Sequence, residues 1–136
     1  QLKKLDNFII KRKINYFFLK KNLKEIKNIK ILNLECSKNF KSSYYCMSIL
    51  LSEKIKSKRF KIINEIKSKG IGTSIHYPRP VSDYSYYKKK YNINSNNFPN
   101  ARIMSYQSIN LPVGPHLTKN NLIYITKKLK EIFKKY

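Results

Sequence analysis

The residues best suited to chemistry lie in one short segment, residues 69–87, with the sequence KGIGTSIHYPRPVSDYSYY. His76, Tyr77 and Arg79 supply an imidazole that titrates near neutral pH, a phenol and a guanidinium, a set that can contact a polar or anionic substrate. Two prolines lie among them, and because proline fixes the backbone, we expect a stiff, protruding segment. The alternative is the end of a surface strand, where the same polar groups only hydrogen-bond the backbone.

Other kinds of site lack the residues that they require. Residues 70–73 (GIGT) contain too few glycines for a phosphate-binding loop and no following Gly-Lys-Ser/Thr, so they indicate a helix end and a strand start. His76 and His116 lie 40 positions apart without clustered carboxylates, which predicts no metal site. His116 is instead expected to form a hydrogen bond that orders its turn.

The two cysteines, Cys36 and Cys46, predict neither zinc binding nor nucleophilic catalysis. They form no C-x-x-C pair, and neither has a histidine or other base nearby in sequence. Cys46 lies in an apolar run and is expected to be a small buried side chain. We therefore assign no catalytic, cofactor-binding or metal-binding residue in this sequence.

These candidate residues must be positioned by a mixture of helices and short strands. Residues 2–27 carry an apolar face at alternating spacings of four and three, which predicts a long helix. That face comprises Leu5, Ile9, Arg12, Tyr16, Leu19, Leu23 and Ile26. Residues 29–42 are polar and irregular apart from an apolar piece at 31–34. The nearly continuous apolar run YYCMSILL at 44–51 predicts a central strand.

A second helix precedes the candidate segment. We expect Ser57 to cap its start and Gly70 to end it in the left-handed conformation. Its predicted inward residues are Phe60, Ile63 and Ile66. A short strand over residues 72–77 should follow, in which alternation turns Ile75 to the core and His76 to the rim.

The last third of the chain predicts two short helical pieces, at 83–91 and 98–107, on either side of a polar loop. The segment SINLP then predicts a brief strand with Ile109 and Leu111 on one face. Thr118 is expected to cap a final helix. The predicted inward residues of that helix are Leu122, Ile125, Leu129, Ile132 and Phe133.

Together these elements predict an α+β fold, with a short, mostly antiparallel sheet packed against helices. Residues 1–136 are expected to form one domain, with a long linking helix (1–27) followed by a compact core (43–136). No apolar stretch approaches the ~20 residues that a membrane-spanning helix needs, and no signal peptide is visible, so a cytoplasmic location is expected.

The charge is strongly basic, with 30 Lys and Arg against 7 Asp and Glu and a formal net charge of +23. Such an excess favours a polyanionic partner, and nonspecific binding to nucleic acid at low salt is expected. However, only four of these residues are arginine, the residue that reads phosphates and bases with a two-pronged fork. The sequence is also rich in Ile, Asn and Tyr, which, like Lys, are encoded by A/T-rich codons. A mutational bias toward A/T is therefore an alternative explanation for the many lysines.

Four motifs in order resemble the C-terminal part of the DegT/DnrJ/StrS sugar aminotransferases. They are QLKKLDNFIIKR at the start, GIGTSIHYPRP after a helix that bears Arg59, then FPNA, and then SINLPVGPHL. The resemblance covers essentially the whole chain. It implies the small domain of a homodimeric fold-type-I enzyme that uses pyridoxal phosphate (PLP) and transfers an amino group, usually from glutamate, to a nucleotide-linked keto-sugar.

The resemblance also implies a division of labour between two domains. The Schiff-base lysine, the carboxylate that pairs with the pyridinium and the aromatic residue stacked on the ring belong to a large N-terminal domain that this sequence lacks. The fragment alone is therefore expected to bind no PLP and to be inactive. By resemblance, His76 and Tyr77 contact the substrate and Arg79 is a candidate for the phosphates of the nucleotide. Where many members carry a second histidine, in P-L-H, this chain has a valine and Ser82 after Pro80.

One alternative belongs to a different class. The chain could be a stand-alone basic module that binds nucleic acid, with affinity that falls steeply with salt and some preference for sequence or structure. The prolines and the His-Tyr segment have no task in that hypothesis.

Overall fold

The computed structural model describes residues 2–32 and 39–136 of the chain. Within these residues it contains five α-helices and one three-stranded sheet. The helices are α1 (Leu5–Leu23), α2 (Arg59–Ser68), α3 (Ser85–Tyr91), α4 (Pro99–Gln107) and α5 (Lys119–Phe133), and the strands are β1 (Ile29–Ile31), β2 (Met47–Leu51) and β3 (Ser108–Leu111). The predicted α+β class is confirmed. Cys36 lies outside the described residues.

The sheet is antiparallel throughout, with β2 between β1 and β3. Ile49 of β2 lies opposite Ile31 on one side and Ile109 on the other. Because side chains alternate along a strand, Ile49 and Ile109 are buried in the core, while the neighbouring pair Ser48 and Asn110 points to the opposite face. That second face carries the candidate site.

The core joins the first face of the sheet to α1, α2 and α5. On α5, all five residues predicted to face inward are buried. The helix begins with a capping box, in which the Asn121 backbone N–H donates to the Thr118 hydroxyl and the Thr118 N–H donates to the Asn121 side chain. The predicted cap and the predicted face of this helix are therefore both confirmed.

The buried residues of α1 lie in its second half, and Ile9 of the first half packs, partly buried, against the core. Tyr16, Leu19 and Leu23 are buried, whereas no residue between 2 and 14 is. The prediction that Leu5 faces inward is wrong, since 43% of it is exposed. The helix extends past the edge of the core. The apolar periodicity of its sequence shows which face is inward but not where along the helix the core ends. A second apolar stripe on the other side of α1 is also exposed: Ile10, Ile14 and Phe17.

The start of α2 differs from the prediction. A turn of 3₁₀ helix over Lys56–Lys58 precedes it, so Ser57 does not cap the helix. Of the three residues predicted to face inward, Ile63 and Ile66 are buried as expected, whereas Phe60 is exposed at 66%. The buried residues are Arg59, Ile62, Ile63 and Ile66. The predicted left-handed end at Gly70 is confirmed by its φ of 72°.

Two strand predictions also need correction. The central strand begins at Met47 rather than residue 44, because Tyr44 has a φ of 48°, a left-handed conformation that no regular strand accommodates. Residues 72–77 form no strand, and their only bridge joins Ser74 to Asn110 of β3. Prolines stop the pairing beyond this point, since they lack the N–H that a ladder needs. Among the described helices, none combines the length and apolar character needed to cross a membrane.

Candidate functional site

An open groove of about 490 Å³ lies on the second face of the sheet. It is lined by Arg12, Tyr45, Cys46, residues 72–74, His76 and residues 110–116. We call it the His76 groove. It brings together residues from α1, from the segment before β2, from the extended segment after Gly70 and from the turn that follows β3.

The position of His76 follows from one backbone bridge. The Ser74 N–H donates to the Asn110 carbonyl at 3.2 Å, and the Asn110 N–H donates back to the Ser74 carbonyl at 3.0 Å. Alternation then turns Ile75 against the core and leaves His76 exposed at the groove. The expected orientation of these two side chains is therefore confirmed, although the segment is not a regular strand.

His76 contacts Cys46, a residue far from it in the sequence. Its Nε2 lies 3.4 Å from the sulfur of Cys46, which is only half-buried. The prediction that Cys46 is a buried apolar side chain is therefore wrong, because the residue lies before β2 begins and faces the groove. The two residues are 30 positions apart. A search for a base beside the cysteine in sequence cannot find such a pair.

A row of aromatic and cationic groups extends from this pair along the rim. The Arg12 guanidinium lies 5.9 Å from the centre of the Tyr45 ring. The Tyr45 and His76 rings are 5.9 Å apart, and the His76 and Tyr77 rings are 6.4 Å apart. Tyr77 is 74% exposed, so its phenol is open to a ligand. Arg12 was visible in the sequence as the one charged residue on the inward face predicted for α1.

Asn110 forms the floor of the groove. It is 4% exposed, and its Oδ1 accepts a 2.6 Å hydrogen bond from the Ser48 hydroxyl. Its Nδ2 has no partner within the described residues, and neither has the buried Oγ1 of Thr73. Sequence reasoning missed Asn110, although a polar residue between Ile109 and Leu111 in a strand is a signal that could have found it.

The turn after β3 is held by α1 rather than by His116. The Asn15 side chain donates to the carbonyls of Gly114 at 2.8 Å and Val113 at 3.3 Å. The His116 ring lies directly over Gly114, where a Cβ atom would come within 2.4 Å of the His116 Cε1. The hydrogen bond expected to order this turn therefore comes from Asn15.

Like Tyr77, Arg79 is a predicted site residue that does not line the groove. Its guanidinium lies 5.8 Å from the centre of the Tyr84 ring. The loop between them is fixed by Asp83, which accepts hydrogen bonds of 2.7 and 2.8 Å from Arg102 and one of 2.5 Å from the Tyr106 hydroxyl. The hydrogen bond from Tyr106, above all, holds the pKa of the Asp83 carboxyl below its ordinary value. This carboxylate is an anchor for the loop that carries Arg79.

The polar groups of the groove can bind a polar or anionic ligand. The lining contains one arginine and two histidines, with neither a lysine nor a carboxylate among them. A PLP site needs a lysine for the Schiff base and a partner for the ring nitrogen, so the described lining does not fit that cofactor by itself. Within the part of the chain that the structure describes, no group of three or more metal-ligating side chains comes together.

Comparison with known sequences decides the family. A sequence model of the DegT/DnrJ/EryC1/StrS aminotransferase family matches residues 1–130. The chain belongs to this family. The resemblance drawn from its motifs is thereby confirmed, and the match does not support the alternative of a stand-alone module that binds nucleic acid.

Similar proteins extend well beyond the length of this DegT/DnrJ/EryC1/StrS chain. It is 29% identical over 134 residues to the uncharacterized protein MJ1066 of Methanocaldococcus jannaschii, covering 97% of this chain and 34% of that protein. Helicobacter pylori PseC, an aminotransferase involved in the biosynthesis of pseudoaminic acid, superposes with a TM-score of 0.85 at 22% identity, over 100% of this chain and 35% of its own. The structure of S. venezuelae DesV, in complex with a ketimine intermediate, gives 0.82 at 20% identity, over 98% and 34%. The chain thus spans about a third of these relatives.

Proposed function

We propose that this chain is the C-terminal part of a PLP-dependent aminotransferase that acts on a nucleotide-linked keto-sugar, with glutamate as the usual amino donor. The family match over residues 1–130 carries the proposal. The groove, whose lining offers imidazole and guanidinium groups to a polar substrate, also supports it. In the intact enzyme, a cytoplasmic homodimer, a large domain supplies PLP and its lysine.

Within that enzyme the chain forms one wall of the substrate cleft. His76 lines the groove and Tyr77 projects beside it, so both contact the sugar portion of the substrate. Arg79 lies on the same protruding segment and contacts the phosphates of the nucleotide. These three residues bind and orient the substrate.

The first test asks whether the chain is inactive by itself. Incubation of the 136-residue chain with PLP, followed by borohydride reduction and peptide mass analysis, should label no single lysine preferentially. A lysine modified alone, together with turnover of an amino donor, would contradict the proposal. Immunoblotting of source cells with an antibody to this chain should show a protein about three times as long, in line with the 34% of the relative that the chain covers.

The second test addresses the site residues in that longer protein. His76→Ala should raise the KM for the nucleotide-linked sugar about ten-fold and leave the KM for the amino donor nearly unchanged, because His76 is assigned to sugar binding. Tyr91→Phe, an exposed tyrosine remote from the groove lining, is the control. Equal effects of the two variants on the sugar KM would remove His76 from the site.

A further inference from the structure

The cationic end of the His76 groove is open to a ligand. None of the four ion pairs recorded among the described residues involves Arg12, and the contact recorded for its guanidinium there is the face of Tyr45. The lining also contains His76 and His116 and no carboxylate. A partly buried guanidinium without a counter-charge favours an anion, which it can hold with two parallel hydrogen bonds.

Another part of the lining of the His76 groove is incompletely hydrogen-bonded. Buried polar atoms in folded proteins nearly always have a hydrogen-bond partner. Two atoms of this wall, Asn110 Nδ2 and Thr73 Oγ1, have none within the described residues. The Asn110 Oδ1 lies 2.6 Å from the Ser48 hydroxyl and 3.8 Å from the Cys46 sulfur. Because both groups contact the oxygen of the amide, its nitrogen points away from them. These unpaired atoms give the wall hydrogen-bonding capacity that a bound ligand can use.

We infer that the His76 groove is an oxyanion subsite, in which the Arg12 guanidinium holds a carboxylate or phosphate group of the ligand and Asn110 lies beside it. The identity of the biological ligand rests on the proposed function, because the proposed amino transfer involves glutamate, a dicarboxylate, and the phosphates of a nucleotide-linked sugar. The subsite at Arg12 on α1 is separate from Arg79, which lies over Tyr84 outside the lining.

The test measures anion binding by the 136-residue chain itself, without PLP or a sugar. Inorganic phosphate and glutarate are titrated separately at constant ionic strength, with backbone and side-chain amide NMR signals as the readout. Both the backbone signals of residues 110–116 and the Asn110 side-chain NH₂ signal should shift. A stronger response to phosphate indicates the nucleotide as the source of the anion, and a stronger response to glutarate indicates the amino donor.

Variants separate the subsite from general attraction to a chain of net charge +23. Arg12→Gln should weaken binding at least ten-fold. Lys13→Gln removes the same charge from the next, exposed position of α1 and should change binding less than two-fold. Asn110→Asp replaces the NH₂ donor by an oxygen and should also weaken binding, whereas Asn64→Asp, on the exposed side of α2, should not.

Three outcomes would overturn the inference: no shift with either probe, shifts spread evenly over the lysine-rich surface, or equal losses in Arg12→Gln and Lys13→Gln. Circular dichroism of each variant shows whether the fold is kept. Because the measurement needs neither the cofactor nor turnover, its failure is distinct from failure of the aminotransferase assignment.

Discussion

Asn15 and Gly114 lie 99 positions apart in the chain, yet the Asn15 side-chain amide donates a 2.8 Å hydrogen bond to the Gly114 carbonyl. This bond and its longer companion to Val113 connect α1 to the turn that follows β3. The turn forms one side of the His76 groove, and α1 supplies Arg12 to the other. One buried amide therefore fixes the distance between the two sides of the site.

Replacing Asn15 should destabilise the fold. Asn15→Ala leaves two carbonyls without their donor in a buried place, and we expect a loss of about 1–3 kcal/mol in the free energy of unfolding. Urea denaturation followed by circular dichroism measures it. Asn7→Ala, at an exposed position of the same helix, is the matched control and should change stability by less than about 0.5 kcal/mol. Equal losses in the two variants would show that the bond to the turn contributes nothing.

Gly114→Ala should displace a side chain without unfolding the protein. The new Cβ would lie 2.4 Å from the His116 Cε1, so the ring must leave its position over the turn. Because an exposed ring can rotate away, we expect a stability cost below about 1 kcal/mol. The NMR signal of the His116 Cε1 proton should move clearly. Gly72→Ala, where a Cβ meets nothing within 4 Å, should leave that signal in place. An unmoved signal in Gly114→Ala would refute the packing of ring on glycine.

Alkaline pH should destabilise the fold through Tyr136. Burial, aided by a 2.6 Å hydrogen bond to Glu65, raises the pKa of Tyr136 to about 12. The folded state therefore holds the phenol proton more tightly than the unfolded chain does. This contribution to stability is complete below the ordinary tyrosine pKa, near 10, and is lost as pH rises toward 12.

The measurement is urea unfolding at several pH values between 8 and about 12. In Tyr136→Phe, stability should fall less steeply over the alkaline range than in the unchanged chain. Tyr91→Phe alters an exposed tyrosine and should keep the full alkaline fall. Parallel profiles for the unchanged chain and Tyr136→Phe would show that Tyr136 titrates normally.

The sequence predicted those features of the fold that depend on residues within a single helix. α5 has a cap, Thr118, and a regular apolar face, and both are present in the structure. Gly70 ends α2 as expected because few other residues adopt a φ of 72°. For α2 the predicted cap at Ser57 was wrong, because a 3₁₀ turn precedes the helix and no sequence rule locates that turn.

The candidate site was less accessible to sequence reasoning, because it is assembled from distant parts of the chain. His76 could be selected by its chemistry and its neighbours. Its contacts with Cys46 and Tyr45 depend on where β2 begins, and its pairing beside Asn110 depends on a single bridge to β3. Pairing between distant segments follows from packing of the whole domain rather than from local pattern.

The geometry of α1 has a mechanical consequence for the groove. At 1.5 Å per residue, its 19 residues form a rod about 28 Å long, which is buried from Asn15 onward and held to the turn after β3 at Asn15. A tilt of about 5° around Asn15 would move the Leu5 end by roughly 1.3 Å but Arg12, three residues away, by only about 0.4 Å. The helix is thus a lever whose pivot lies beside the groove, so that motion at its free end leaves the groove nearly unchanged.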